Sequence, residues 1–272
     1  MQGNIKKMKV ALASPVNYHL PIGDELISMN ELIGKKILLE HSGEINCVSC
    51  GRKTSKSYAQ GHCYPCFRDL AECDMCIMKP ETCHYDAGTC REPEWGEQHC
   101  MQVHYVYLAN SSGVKVGITR GTQIPTRWID QGAGQALPIF KVATRLQSGL
   151  LEVELKKHVS DRTDWRKMLK GSPDSISLAE VRDRIVAESA SVIDELKQQF
   201  GADAIEFLPD AEQLEIQYPI ANHPEKVKSL NFDKQEKIEG VLQGIKGQYL
   251  VLDCGVLNIR KFSGYNLALS VQ

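Results

Sequence analysis

The chain lacks any long run of apolar residues. Its 272 residues contain no stretch of about 18 apolar residues, which is the length needed to cross a lipid bilayer. The opening residues, MQGNIKKMKVALASP, also lack the apolar core and small-residue cleavage site of a secretory signal peptide. The sequence therefore predicts a cytoplasmic protein with no membrane partner.

A large excess of charge of one sign is also missing. The chain has 32 Lys and Arg against 34 Asp and Glu, a net charge of -2, which argues against a general polyanion-binding protein. The distribution is uneven, because residues 101–170 contain eleven Lys and Arg but five Asp and Glu. Such a segment indicates a local anionic ligand such as nucleic acid, the alternative being a solvated helix face.

Cysteine, by contrast, is abundant, and nine of the ten cysteines fall between residues 47 and 100. In a reducing compartment this density favours metal binding over disulfides. Cys47-x2-Cys50 is followed a dozen residues later by Cys63-x2-Cys66, a spacing typical of a zinc ribbon. Each pair places two thiolates on one side of a turn, so two pairs complete a tetrahedral zinc site.

A second cysteine cluster follows at Cys73, Cys76, Cys83, Cys90 and Cys100, with five thiols for four coordination positions. We predict a second zinc ion held by Cys76, Cys83, Cys90 and Cys100, with Cys73 or His84 as a substitute ligand. Thiolate sites that leave no open position are structural. Both zinc ions are therefore predicted to fold a segment that has no hydrophobic core of its own.

The remaining patterns predict an α+β fold with a β-rich body from both termini, a zinc-ribbon-like insert and a central α/β module. Strand-like runs, KVALA and KKILLE, occur near the N-terminus, and a helix over 178–200 begins at the capping pair Ser177 and Glu180. The predicted segments are 1–46 (β-rich), 47–100 (cysteine-rich), 101–170 (central module), 171–202 (helix) and 203–272 (β-rich, pairing with 1–46).

The central module begins with the residues HYVYLANSSGVKVGIT. Two strands, 104–109 and 114–119, flank a turn at 110–113, which is a hairpin pattern. Pro125 suits the first turn of a helix, and a second helix is predicted over 149–159.

These residues resemble the GIY-YIG endonuclease superfamily over about 104–160. Tyr105-Val106-Tyr107 stands for the first triplet of that family and Lys115-Val116-Gly117 for the second. Arg127 takes the place of the family arginine, and Glu152 that of the glutamate, with Glu154 as the alternative. The chain departs from the family pattern at Tyr105, where a glycine is usual, and at Lys115, where a tyrosine is usual. The family asparagine has no clear match.

The resemblance implies roles for five residues. Glu152 would hold Mg²⁺ or Mn²⁺, Arg127 would grip the scissile phosphate, and Tyr107 would take, relay or orient the proton of the attacking water. Lys115 would add positive charge, and Gly117 would leave room for a phosphate. The whole arrangement also resembles an uncharacterised bacterial family that joins a cysteine-rich zinc region to this module.

The leading hypothesis is therefore a zinc-containing protein that hydrolyses phosphodiesters in DNA or RNA with a divalent metal. The alternatives are a non-catalytic zinc module that binds DNA or RNA, and a protein-interaction scaffold. A nuclease requires Tyr107, Arg127 and Glu152 to converge on one open cleft. A binding module requires only a basic exposed face, and a scaffold requires an exposed apolar patch. The choice between DNA and RNA and the oligomeric state remain open.

Overall fold

The fold is that of a computed structural model, which describes residues 1–159, 164–171 and 173–272. The predicted module and helix segments therefore include positions, 160–163 and 172, that lie outside the described residues. The strands are Gln2–Asn4 (β1), Lys9–Ala11 (β2), Asn17–Ile22 (β3), Glu25–Ser28 (β4), Lys36–Asn46 (β5), Lys53–Thr54 (β6), His104–Asn110 (β7), Val114–Arg120 (β8), Gln135–Val142 (β9), Ile205–Phe207 (β10), Leu214–Glu215 (β11), Lys237–Lys246 (β12), Tyr249–Leu252 (β13), Gly255–Asn258 (β14) and Tyr265–Val271 (β15). The helices are Tyr64–Asp69 (α1), Met75–Met78 (α2), Pro93–His99 (α3), Thr126–Asp130 (α4), Arg145–Leu155 (α5), Trp165–Lys170 (α6), Leu178–Glu188 (α7) and Ala190–Phe200 (α8).

Strands from both ends of the chain form the largest sheet, here called the terminal sheet. Its order is β1-β15-β5-β12-β13-β14, and the short β6 adds to β5. The central strand β5 pairs antiparallel with β12 and β15, which places Leu39 opposite Ile238 on one side and Leu269 on the other. These three side chains are buried, so the apolar alternation of β5 fixes the register between chain ends that are far apart in sequence.

A second sheet, the central sheet, has the order β10-β9-β7-β8, with β11 also pairing with β9. The predicted hairpin of β7 and β8 is confirmed, with Tyr107 directly opposite Gly117. Strand β7 is buried on both faces. Tyr107 joins the core shared with the terminal sheet, whereas Val106 and Leu108 face the core formed with the helices. Because both faces of β7 are buried, the sequence of this strand is a nearly continuous apolar run.

The C-terminal half differs from the prediction in two ways. Strands β10 and β11 pair with β9 of the central sheet, so the C-terminal strands that pair with the N-terminal segment begin only at Lys237. The helix predicted over 178–200 is divided at Ser189 into α7 and α8, although its cap is as predicted, with the Ser177 hydroxyl accepting from the Glu180 amide. The division lets α7 pack on β7 and β9 while α8 packs on β10 and α5.

The cysteine insert, residues 47–100, lies between the terminal sheet and the central module. Its helices are short, and it packs closely on helix α5 of the module. A Cβ atom added at Gly149 of α5 would lie 2.5 Å from the amide nitrogen of Glu81 and 2.6 Å from the carbonyl carbon of Pro80. Only a glycine permits this approach, so the backbone of the insert rests directly on α5.

A small third sheet, β2-β3-β4, completes the core at the N-terminal end. Its buried residues include Tyr18, Leu20 and Ile22, which join the core of the terminal sheet. Within the described parts of the chain, no helix is both long and apolar enough to cross a lipid bilayer.

Candidate functional site

The first cysteine group is built at the tip of the terminal sheet. Strand β5 leads into Cys47, the chain turns through Cys50, and β6 returns to pair with β5. Cys63 is the N-cap of α1, and Cys66 lies in the first turn of that helix. The sulfur atoms of these four cysteines all lie within 4.8 Å of one another, and all four are free thiols. The group predicted from the CxxC spacing is therefore assembled, and it could hold a metal ion.

The surroundings of Cys47 favour the thiolate form that a metal requires. Burial alone would raise its pKa, but the backbone amides of Cys50, Cys63 and Ser49 donate to its sulfur and bring the pKa down to about 6. The Cys66 thiol shows the opposite effect, because burial and the neighbouring thiols raise its pKa to about 12. Four crowded thiols cannot all ionise in the absence of a cation, so a bound metal ion is the natural counter-charge for this group.

The second cysteine cluster is gathered around a small cavity. Its walls include the four predicted ligands Cys76, Cys83, Cys90 and Cys100. Asp74 and His84 also line it. Among the described residues, the second set of donor atoms close enough to share one ion is Asp74, Cys76 and His84. The carboxylate of Asp74 is already bound by Arg91 at 2.6 Å. Among the described residues the four predicted cysteines do not form such a set, and Cys73 does not line the cavity, so the choice between these cysteines and the substitutes Cys73 and His84 stays a prediction.

The two isolated histidines near the cysteines are packing residues. The Nε2 atom of His62 lies 2.8 Å from the Glu72 carboxylate. His104 is fully buried in β7, and its Nδ1 atom lies 2.6 Å from the carbonyl oxygen of Gln102. Burial lowers the pKa of His104 to about 4, so its ring is neutral at physiological pH.

A cleft of about 500 Å³ lies where the terminal sheet, the cysteine insert and the central module meet. Four of the five site residues predicted from the resemblance line it, namely Lys115, Gly117, Arg127 and Glu152. The walls are strongly basic, with seven cationic side chains against the two carboxylates of Asp130 and Glu152. The cationic residues are Lys7, Lys115, Arg120, Arg127, Arg145, Lys156 and Arg260.

Tyr107 lies directly behind this cleft rather than in its wall. Its side chain is fully buried, and its ring packs edge-on against Trp128 with centroids 5.8 Å apart. The hydroxyl donates to Oε1 of Gln131 at 3.0 Å and is within reach of Arg127, and both of these residues line the cleft. Burial raises the pKa of Tyr107, so the phenol stays protonated. Its position suits it to hold Arg127 and Gln131 in place.

Gly117 leaves room for Tyr107 as well as for the cleft. A Cβ atom at this position would lie 2.7 Å from both Cζ and Oη of Tyr107. The tyrosine therefore lies across the glycine on the neighbouring strand, and a side chain at 117 would meet it before meeting any phosphate.

The structure distinguishes the two glutamates that compete for the same role in the sequence. Among the described residues, Glu152 lines the cleft and Glu154 does not. Glu152 is paired with Lys156 at 3.4 Å, one helical turn away, and burial raises the pKa of its carboxyl. Glu154 instead pairs with Lys157 and approaches His158.

Lys115 and Arg145 are cations held in poorly solvated positions. Burial and the nearby Arg127 lower the pKa of Lys115 to about 8, although Glu152 opposes this shift. Burial also lowers the pKa of Arg145, whose Nη2 atom donates to the carbonyl oxygen of Ile77 at 2.7 Å. Burial of these two cations together with the seven-to-two excess of positive side chains makes the cleft complementary to an anionic ligand.

Several residues of the cleft were not predicted from the sequence. Arg145 could have been found, because it follows the capping residue Thr144 at the start of α5. Lys7 and Arg260 carry no local signal, since they come from opposite ends of the chain. Asp130 is already engaged by Lys7 at 2.9 Å and by Gln248 at 2.8 Å, which leaves Glu152 as the less occupied carboxylate.

The fold and these sites define a mixed α+β protein that has a four-cysteine group suited to a metal ion and a separate basic cleft. More specifically, the chain belongs to the family described as "Protein of unknown function (DUF2797)", whose model matches residues 34–267. The match spans the insert, the central module and most of the terminal sheet. No curated protein and no solved structure matches the chain.

Proposed function

We propose that this protein is a zinc-containing, metal-dependent endonuclease whose cleft hydrolyses phosphodiesters in nucleic acid, as the GIY-YIG-like order of its residues implies. The observation that carries the proposal is the convergence of Lys115, Arg127 and Glu152 on one basic cleft, with Tyr107 directly behind them. A cleft with seven cationic side chains and two carboxylates is complementary to a polyanion.

In this proposal Arg127 binds the scissile phosphate and stabilises the charge that develops in the transition state. Lys115 adds a second positive charge at the same wall. Tyr107 acts as a positioning residue, because its buried hydroxyl holds Gln131 and approaches Arg127. Gln131 also lines the cleft, so its amide is the group placed to orient an attacking water.

Glu152 is the proposed ligand of a catalytic Mg²⁺ or Mn²⁺ ion. A single carboxylate leaves most coordination positions for water and phosphate oxygens, as Mg²⁺ sites at nucleic acids require. The surrounding cations repel a divalent ion, so we expect it to bind weakly until a phosphate enters the cleft. Calorimetry should therefore detect Mg²⁺ binding only when nucleic acid is present. Tight Mg²⁺ binding to the free protein would contradict the expectation that nucleic acid must bind first.

Zinc is the proposed ion of the cysteine groups. Four thiolates with no open position fit a structural zinc ion at Cys47, Cys50, Cys63 and Cys66. We propose a second zinc ion at the cavity lined by Cys76, Cys83, Cys90 and Cys100, with Cys73 or His84 as the competing ligand. Both ions would serve to hold the insert in shape.

The direct test compares Glu152→Gln with Glu154→Gln. Both substitutions remove one negative charge from α5, but only the first lies in the cleft. Each protein is incubated with single- and double-stranded DNA and RNA in the presence of Mg²⁺ or Mn²⁺. We expect wild type and Glu154→Gln to cleave and Glu152→Gln to lose cleavage while keeping its fold. Equal cleavage by all three proteins would contradict the proposed site.

A non-catalytic nucleic-acid-binding protein is the second candidate. Two observations favour it. Lys115 lies where the GIY-YIG superfamily has a tyrosine, and Glu152 is already paired with Lys156. In that case the wild type binds nucleic acid in a salt-sensitive manner but cleaves none of the substrates.

A further inference from the structure

The basic cleft does not end at Arg260. A second groove of about 630 Å³ begins on the other side of this arginine, which lines both spaces. We call it the flanking groove. Two further cations, Lys56 and Lys261, line it, together with Asp233 as its acidic residue. Arg260 therefore connects two neighbouring spaces that both carry an excess of positive charge.

One wall of the flanking groove belongs to the cysteine insert. Ser55, Lys56, Ser57 and Gln60 lie on the loop that joins Cys50 to Cys63. Both ends of this loop are therefore attached to the four-cysteine group. The opposite wall comes from the terminal sheet through Asn258, Arg260 and Lys261. A metal ion in the cysteine group would fix the loop opposite these residues.

The two lysines of the flanking groove, Lys56 and Lys261, are exposed. Lys261 lies 3.8 Å from Asp233, a long contact, and Asp233 also accepts a hydrogen bond from Tyr265 at 2.6 Å. Among the described residues, the Ser57 hydroxyl oxygen is shielded from solvent yet has no hydrogen-bond partner. Lys56 lies over the ring of Tyr58 at 5.1 Å, which holds its stem against the loop.

We propose that a polynucleotide strand extends from the cleft past Arg260 into the flanking groove, where Lys56 and Lys261 contact phosphates beyond the scissile one. The loop between the two cysteine pairs is then part of the substrate-binding surface, and a metal ion in the four-cysteine group would act in recognition as well as in folding. This inference rests on the proposed function, since it assumes that nucleic acid occupies the cleft. Its central support is the shared Arg260 and the matching charge of the two spaces.

The test is a double variant, Lys56→Ala/Lys261→Ala, compared with Lys35→Ala/Lys226→Ala. The control removes two exposed lysines that line neither the cleft nor the flanking groove. Binding of a 20-nucleotide single strand is measured by fluorescence anisotropy across a salt series, with DNA and RNA. Binding of a dinucleotide, which has one internal phosphodiester, is measured by calorimetry. Zinc content and near-UV circular dichroism verify that the variants are folded.

Each phosphate contact on a single strand contributes about 0.7 to the slope of log affinity against log salt. We expect the groove variant to lower that slope by about 1.4 and to bind the 20-mer about 10-fold or more weakly at 0.1 M salt. The control and dinucleotide binding should be unchanged. An unchanged slope and affinity in the groove variant would overturn the inference, even if cleavage and its dependence on Glu152 are intact. A lowered slope without any cleavage would instead refute hydrolysis and retain the binding path. Failure of wild type to bind the 20-mer would refute both.

Discussion

The contact between Gly117 and Tyr107 gives the sharpest test of how the cleft is built. In Gly117→Ala the new methyl group would lie 2.7 Å from Cζ and Oη of Tyr107. The tyrosine cannot move freely, because it is fully buried against Trp128. It must shift and lose its hydrogen bond to Gln131. Overpacking costs about 1–3 kcal/mol and the lost hydrogen bond about 1 kcal/mol. We expect the free energy of unfolding to fall by about 2–4 kcal/mol.

Urea denaturation measures this loss, with Gly134→Ala as the matched control. A Cβ atom at Gly134 would make only ordinary contacts, the nearest at 3.5 Å from Pro173. The control should therefore be nearly neutral. Tyr107→Phe removes one of the two clashing atoms, so Gly117→Ala/Tyr107→Phe should lose less stability than the sum of the single changes. If Gly117→Ala is as stable as Gly134→Ala, or if the two changes add within about 0.5 kcal/mol, the proposed packing is wrong.

Three further predictions address the metal, the buried lysine and the terminal sheet. Cys66→Ser should lower the zinc content from two ions per chain to one and destabilise the insert, as elemental analysis and thermal denaturation can show; a folded wild type without metal would contradict it. Lys115→Met should remove a pH-dependent destabilisation that is on the order of 3 kcal/mol at pH 7, because the lysine pKa is about 8 in the fold against 10.5 as its ordinary value. Between the two pKa values the folded wild type binds fewer protons at Lys115 than the unfolded chain does, so its free energy of unfolding rises with pH. The stability advantage of Lys115→Met should therefore disappear towards pH 10. An advantage that is constant with pH would contradict the lowered pKa of Lys115. Lys246→Met should show the same pH dependence of stability, since Lys246 also has a pKa lowered to about 8, although it does not line the cleft. Deleting residues 1–40 removes β1 to β4 and about half of β5, so β12 and β15 should lose protection from hydrogen exchange, and retained protection would show that the two ends are independent.

The parts of the fold that depend on adjacent residues were predictable from the sequence. The hairpin of β7 and β8 follows from two apolar runs around a short turn, and the four-cysteine group follows from the spacing of its pairs. The Ser177 cap was likewise visible three residues from its partner. The mixed α+β class follows from the same local patterns.

The parts that depend on long-range packing were not predictable. Strand β9 lies at the centre of its sheet, yet the apolar run ALPIFKV was not identified as a strand. The short strands β10 and β11 looked like neighbours of the C-terminal strands, but they pair with β9 because it offers them an open edge. Lys7 and Arg260 reach the cleft from positions more than 250 residues apart. No local pattern contains that information.

The close approach of Gly149 to the insert has a consequence for how the protein matures during synthesis. The turn on which Gly149 rests, Pro80–Thr82, lies between Cys76 and Cys83, and the ribosome delivers it well before α5. If the second cluster binds zinc as proposed, the ion fixes the surface on which α5 later docks. A chelator should then block the appearance of nucleic-acid binding when it is added during synthesis, and have far less effect when added afterwards. Zinc supply would thus affect assembly, since a chain made without the ion lacks one of the surfaces on which the helix that carries Glu152 packs, the others including β7 and β8.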